Sequence, residues 1–234
     1  MVAPDDRTLR LLSQASTATI STQLLARGLR NTFLHGLKPL TRHRMAGPAF
    51  TLRYIPARED VDTLDVYKDY DHPQRKAIET VPPGHVLVMD CRGQGRAASA
   101  GGILLTRLQI RNAGGLVTDG TLRDTPEIAQ LSLPVYAQGA SPLTNLAQHH
   151  AVDINVPIGC AEVAVYPGDI MVGDEEGVIC VPRHLADEVA EAAAQQEQLE
   201  TWIQGEIRAG KPLRGTYPPD EQTLRRYHEH RTSG

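Results

Sequence analysis

The twenty residues GGILLTRLQIRNAGGLVTDG, numbered 101–120, decide the fold class. Ile103, Leu104, Leu108 and Ile110 fall at helical spacing, so a helix is predicted over about 102–112, ended by the Gly114–Gly115 pair. GLVTDG, 115–120, then reads as a buried strand breaking into an Asp-Gly turn. Upstream, GHVLVMDC (84–91) is a strand that leaves the Pro82-Pro83-Gly84 turn. Downstream, TPEIAQL (125–131) is a short helix and PVYAQG (134–139) another strand. The order strand, helix, strand, helix, strand implies α/β layers with some parallel pairing.

Farther out the pattern changes. Residues 7–28 have helical spacing, with Leu9, Leu12, Ile20, Leu24 and Leu25 as apolar markers and Gly28 as a C-cap. Their Ser/Thr-rich middle predicts a break into two helices, with Ser21 or a nearby Thr as the second N-cap. AGPAFTLRYIPA (46–57) alternates as a strand, and DTLDVYKDY (62–70) is helical or irregular. Residues 151–182 read as several short strands joined by Pro-Gly and Asp-Glu-Glu-Gly turns. Residues 183–209 form a long helix of high propensity. The polar tail 211–234 is expected to pack on a neighbouring subunit or to be partly disordered. The reading is one domain over 1–234, with a core at about 8–185 and a C-terminal helix and tail at 186–234.

The chain's 234 residues are 41% hydrophobic and 22% charged, which suits a globular protein. Aromatic residues make up only 4%, so the core must come from Leu, Val, Ile and Ala. A net charge of -4 gives no electrostatic footprint for nucleic acid. Cys91, Cys160 and Cys180 are odd in number and form no CxxC pair, which argues against a disulfide framework or a cysteine zinc site. The N-terminus lacks an apolar signal core, and no stretch is long and apolar enough to span a membrane. A cytoplasmic protein is expected.

The candidate chemistry lies in TLRDTPE, 121–127. Asp124 as N-cap with Glu127 at N3 would form a capping box, with Pro126 in the first turn. The same residues suit a site. A hard divalent metal needs only one or two carboxylates when it keeps its waters. A 2-oxo acid needs a cation at its carboxylate or developing enolate, and Arg123 offers a permanently charged fork. Gly101 and Gly102 would let an anion approach the amides of Ile103 and Leu104 at a helix N-terminus. The two readings are compatible, because a capping carboxylate can also face a metal.

Gly102, twenty intervening residues, Arg123, Asp124, two residues and Glu127 reproduce a G-x20-R-D-x2-[ED] pattern. This resembles the family of the regulator of ribonuclease E activity A and the class II 4-hydroxy-4-methyl-2-oxoglutarate aldolases. The blocks STATISTQL, RMAGPAFTLRY, PPGHVLVMD, AGGLVTDGTLRD and PGDIMVGDEEGVICVP resemble that family's in the same order, over roughly 10–185. The resemblance implies a layered β/β/α swivelling-domain-like sandwich with a mixed sheet and a C-terminal helical arm. It implies a homotrimer or homohexamer with sites at subunit interfaces. It also implies a metal-dependent lyase that releases pyruvate from 4-hydroxy-4-methyl-2-oxoglutarate-type acids and decarboxylates oxaloacetate. Carried over by position, Asp124 would bind Mg2+ or Mn2+, Arg123 would stabilise the enolate, and the Ile103 and Leu104 amides would hold the carboxylate. Glu127, or a neighbouring chain's Glu197 or Glu200, would reach the metal.

One departure stands out. Aldolases of this family usually carry Asp where this chain has Gly102, and Gly can neither transfer a proton nor position a water. Asp119, Asp90 and His85 are the candidate relays. The alternatives are a regulator that binds an endoribonuclease, and a lyase acting on a different sugar-derived 2-oxo acid. Among the remaining motifs, CRGQGRA (91–97) reads as a turn beside the site, with Arg92 or Arg96 lining it, rather than a dinucleotide loop. His149-His150 reads as a solvated helix end.

Overall fold

The computed structural model describes residues 5–233. Two helices open the chain, α1 (Asp6–Gln14) and α2 (Thr17–Ala26). Then come β1 (Lys38–Pro39), β2 (Met45–Pro56), α3 (Pro73–Thr80), β3 (Val86–Asp90), β4 (Ala98–Ala100) and α4 (Gly102–Ile110). The middle continues through β5 (Gly115–Thr118), β6 (Thr121–Leu122), α5 (Thr125–Ile128), β7 (Val135–Ala137) and β8 (Gly139–Ala140). The last part holds β9 (His149–Ile154), β10 (Ile158–Cys160), β11 (Val163–Val165), β12 (Ile170–Gly173), β13 (Val178–Val181), α6 (Ala186–Arg208) and α7 (Glu221–Ser233).

The fold is mixed α/β. The large sheet runs β1-β7-β5-β3-β2-β12-β13, with β9 also paired to β2. β2, β3, β5 and β7 are mutually parallel, whereas β12 and β9 pair antiparallel along the two halves of the long β2. β3 is buried at every residue, as a central strand covered on both faces must be. Leu87 and Met89 pack with Leu105, Leu108 and Ile128 from the helical layer. Val86 and Val88 alternate to the other face and meet Ile158, Val163 and Val165 of the β10–β11 hairpin. A third cluster packs Leu12, Ile20 and Leu24 of the first two helices with Val189, Ala190 and Ala193 of α6, over β12 and β13.

A second sheet was not expected from the sequence. After β3, β5 and β7 the chain leaves the large sheet and adds a short strand to a parallel trio, β4-β6-β8. β4 and β6 each lead at once into a helix, so the starts of α4 and α5 emerge side by side from one small sheet.

Several local expectations are corrected. The first two helices break at Ala15–Ser16, because Ser16 Oγ accepts from Thr19 N at 3.0 Å; Ser21 lies inside α2. Gly28 takes φ +85° just beyond the α2 C-cap. His149 and His150 lie in β9 rather than at a helix end. His149 is fully buried against the Tyr54 ring, and His150 Nδ1 pairs with Asp62 Oδ1 at 2.7 Å on the opposite side. The polar tail carries α7, docked on α6 through a tilted Trp202–Tyr227 ring contact at 5.6 Å and an Arg226–Glu206 ion pair at 2.6 Å.

The Gly84 turn is where strand packing is closest. A Cβ on Gly47 or on Gly114 would collide with the Gly84 carbonyl oxygen, and this turn is held by hydrogen bonds from Gly84 N to Asn112 O and from Gly114 N to His85 O, both 2.8 Å. Gly114→Ala is therefore expected to cost about 2–3 kcal/mol through overpacking against fixed backbone. Urea denaturation reads this directly; an unchanged midpoint would show that the turn yields freely.

Candidate active site

Three backbone features bring Arg123 and Asp124 to the start of α4. Arg123 N donates to Ala100 O at 3.1 Å, which extends the β4–β6 pairing by one step. Asp124 then adopts φ +60°, ψ +37°, a left-handed conformation that Asp tolerates better than most residues. Its side chain does not cap α5, contrary to the capping-box reading. Asp124 Oδ2 instead accepts from Gly102 N at 3.0 Å, the first amide of α4. The left-handed turn aims the carboxylate across to the neighbouring helix, away from its own.

Space is limited at both glycines, and only Gly101 is spatially required. A Cβ on Gly101 would lie 2.7 Å from Asp124 Oδ2 and 2.8 Å from Arg123 Cγ. At Gly102 it would lie 3.3 Å from Asp124 Cβ, which is tight but less severe. Leu104 N is engaged by Gly101 O at 3.1 Å. Ile103 N makes no hydrogen bond among the described residues and remains available to an anion at the positive end of the helix.

These groups line a cleft of about 270 Å3. Arg123 and Asp124 are both substantially exposed, and Arg123 Nε lies 3.4 Å from Asp124 Oδ1. The terminal guanidinium nitrogens of Arg123 have no carboxylate partner among the described residues. Glu127 shares the adjoining rim with Gly102, Ile103 and Asp124. Glu197 and Glu200 are not brought to this cleft within the chain. Glu197 Oε1 accepts from Ser16 N and Ser16 Oγ, while Glu200 Oε1 accepts from Gln196 Nε2.

Oxygen donors suit a hard cation. Among the described residues no group of three or more His, Cys, Asp or Glu side chains is placed to hold a metal. One chain therefore offers no closed cage, but Asp124, with Glu127 nearby, fits a Mg2+ or Mn2+ ion that keeps most of its waters.

The proposed relays lie elsewhere. Asp119 is buried and accepts from Cys91 N, Gly93 N and Ala161 N at 2.5, 2.8 and 3.1 Å. Burial pushes its pKa up, against the opposing pull of those amides, and its role is to tie three loop segments together. Asp90 accepts from Arg92 N at 2.9 Å, and His85 sits at the exposed Pro83 turn. Arg92 reaches Gln148 O and Arg96 reaches Gln94 Oε1, so neither lines the cleft. The three cysteines are free and buried, and burial pushes the Cys91 thiol up to about 12.

The sequence reading missed the opposite wall, formed by Tyr67, Arg75, Thr144 and Asn145. Tyr67 lies in a 3-10 turn, Leu64–Lys68, and its hydroxyl contacts Thr144 Oγ1 and donates to Asn145 Oδ1 at 3.3 Å. No local pattern marks these residues, because 67, 75 and 144–145 meet only through the fold.

The family model described as RraA-like, Aldolase/RraA, matches residues 17–180. A Halalkalibacterium halodurans protein that carries the provisional name 4-hydroxy-4-methyl-2-oxoglutarate aldolase is 31% identical over 166 residues, 69% of this chain and 71% of that protein. The 4-hydroxy-4-methyl-2-oxoglutarate aldolase of Thermus thermophilus is 32% identical over 122 residues, 52% of this chain and 73% of its own. Among solved structures, Streptomyces coelicolor RraAS2, described as an unusual member of the RNase ES inhibitor RraA protein family, superimposes with a TM-score of 0.77 at 29% identity. That match covers 87% of this chain and 98% of the other.

Proposed function

The chain belongs to the RraA-like, Aldolase/RraA family, and from that premise we propose that it is a divalent-metal-dependent lyase that releases pyruvate from 2-oxo acids. The reactions are aldol cleavage of 4-hydroxy-4-methyl-2-oxoglutarate-type substrates and decarboxylation of oxaloacetate. The observation that carries this reading is the placement of Arg123, Asp124 and the open Ile103 amide on one small cleft.

Both reactions leave the pyruvate enolate, so one set of groups serves both. The substrate carboxylate binds at the start of α4 on the Ile103 amide. The free face of the Arg123 guanidinium takes the keto oxygen, and its hydrogen bonds strengthen as that oxygen gains charge. Asp124, with Glu127 on the rim, would hold Mg2+ or Mn2+, which supplies Lewis-acid stabilisation of the same oxygen when bound. The Gly102 amide fixes the Asp124 carboxylate in place. Assembly into a trimer or hexamer, with α6 carboxylates such as Glu197 or Glu200 of a neighbouring copy completing the site, belongs to the same reading.

The test is pyruvate release from oxaloacetate, corrected for the reaction of free metal. Activity should vanish with chelator and return with Mg2+ or Mn2+; a rate indifferent to both would sink the proposal.

Gly102 supplies a second test. A Cβ at this position would lie 3.3 Å from Asp124 Cβ and 3.7 Å from Asp124 Oδ2, which needs a small adjustment of the Asp124 side chain, so Gly102→Asp places a proton-transfer group beside the metal-binding carboxylate. Aldol cleavage is expected to rise by about tenfold or more, within the range of positioned acid–base groups. Oxaloacetate decarboxylation, which has no hydroxyl to deprotonate, should change less. If aldol cleavage does not rise, the absent acid is not what limits this chain.

The likeness to an RNase ES inhibitor family member supports a second reading, a ribonuclease-binding regulator. It would be favoured by a stable endoribonuclease complex together with no metal-dependent turnover.

A further inference from the structure

The wall facing Arg123 holds a second cation that the lyase chemistry above does not use. Arg75 lies on α3 and lines the cleft. Its guanidinium sits over the Tyr67 ring, 5.5 Å from the centroid, and donates to the Tyr67 carbonyl. It has no carboxylate partner among the described residues.

Beside it stands Asn145, 6% exposed. Its Oδ1 accepts from Tyr67 Oη and Thr144 Oγ1, each at 3.3 Å, while its Nδ2 has no partner. A buried amide donor left unpaired costs about 1–3 kcal/mol. A ligand oxygen entering along this wall would remove that cost. Tyr67 itself feels both guanidiniums. Burial raises its pKa while Arg123 and Arg75, which line the same cleft, pull it down.

The cleft is thus lined by two guanidiniums and a single carboxylate. Arg123 and the Ile103 amide already account for the 2-oxo acid end. We propose that Arg75 and Asn145, steadied by Tyr67, are specificity-determining residues that recognise a carboxylate at the far end of the substrate. A planar fork and an amide donor match two carboxylate oxygens, whereas a methyl group there would leave both unpaired. This inference rests on the lyase reading for the position of the 2-oxo acid end.

The test is calorimetric binding of two unreactive acids of equal carbon number, 2-oxoglutarate and 2-oxopentanoate, to the whole protein with Mg2+. They differ only in the distal carboxylate. Wild type is expected to prefer 2-oxoglutarate by about tenfold or more, as for a charge-assisted pair. Arg75→Met should erase the preference while leaving the Kd for 2-oxopentanoate within about twofold. Asn145→Asp, nearly isosteric, keeps the acceptor for Tyr67 and Thr144 but replaces the donor with a negative charge. It should weaken 2-oxoglutarate by about tenfold and spare 2-oxopentanoate.

No preference in wild type, or a parallel loss of both acids in both variants, overturns the inference. Pyruvate release from oxaloacetate, run alongside, separates the two readings. Turnover without discrimination sinks the Arg75 subsite alone, and discrimination without turnover sinks the lyase reading alone.

Discussion

Asp124→Asn is expected to lower metal-dependent pyruvate release by roughly 10³-fold, about 4 kcal/mol, and to leave the fold intact. Asn is the informative replacement because of the backbone. Asp124 sits at φ +60°, which Asn tolerates at least as well as Asp. Asn also keeps a side-chain oxygen to accept from Gly102 N. What it removes is the negative charge that a hard cation requires. Asp124→Ala would mix two effects, because Ala pays about 1–2 kcal/mol in the left-handed region and leaves the Gly102 amide without its partner. Thermal unfolding should therefore separate the variants, with Asn close to wild type and Ala lower. Wild-type turnover by Asp124→Asn would remove this carboxylate from the chemistry.

Arg123→Ala should cost about 3 kcal/mol of transition-state stabilisation, near 10²-fold or more, as for loss of an oxyanion donor. The loss should fall on kcat more than on KM, because the guanidinium meets a fuller charge in the enolate than in the ketone. Arg123→Lys keeps the charge but loses the planar fork, so an intermediate rate is expected. The residue is substantially exposed and its side-chain hydrogen bond to Asp124 is long at 3.4 Å, so stability should barely change. A rise in KM at constant kcat would mean that Arg123 only gathers substrate. No change in either would place the reaction elsewhere.

The α/β class was legible because period-2 and period-3.6 patterns alternate between 84 and 139. The apolar run VLVMD answers to burial, and so does Leu108 among the helix markers, whereas Ile103 and Ile110 are exposed and the buried neighbour is Leu105. The small sheet was not legible. Its strands are only two or three residues each, too short to show a period, and they exist because three consecutive chains leave the large sheet together. His149 shows the same limit, since two adjacent histidines carry no sign of whether the backbone alternates or coils.

Sequence by itself determined which residues are chemically able to act: an Arg-Asp pair, a glycine pair before a helix, and the absence of an acid at 102. Spacing alone left Asp124 equally suited to cap α5. Tertiary structure decided that question, because β4 and β6 pair side by side and the left-handed turn at Asp124 points its carboxylate at the amide of Gly102. Tertiary structure also supplied Arg75, Tyr67 and Asn145 on the facing wall, residues up to 78 positions apart that only the crossover topology brings to one cleft.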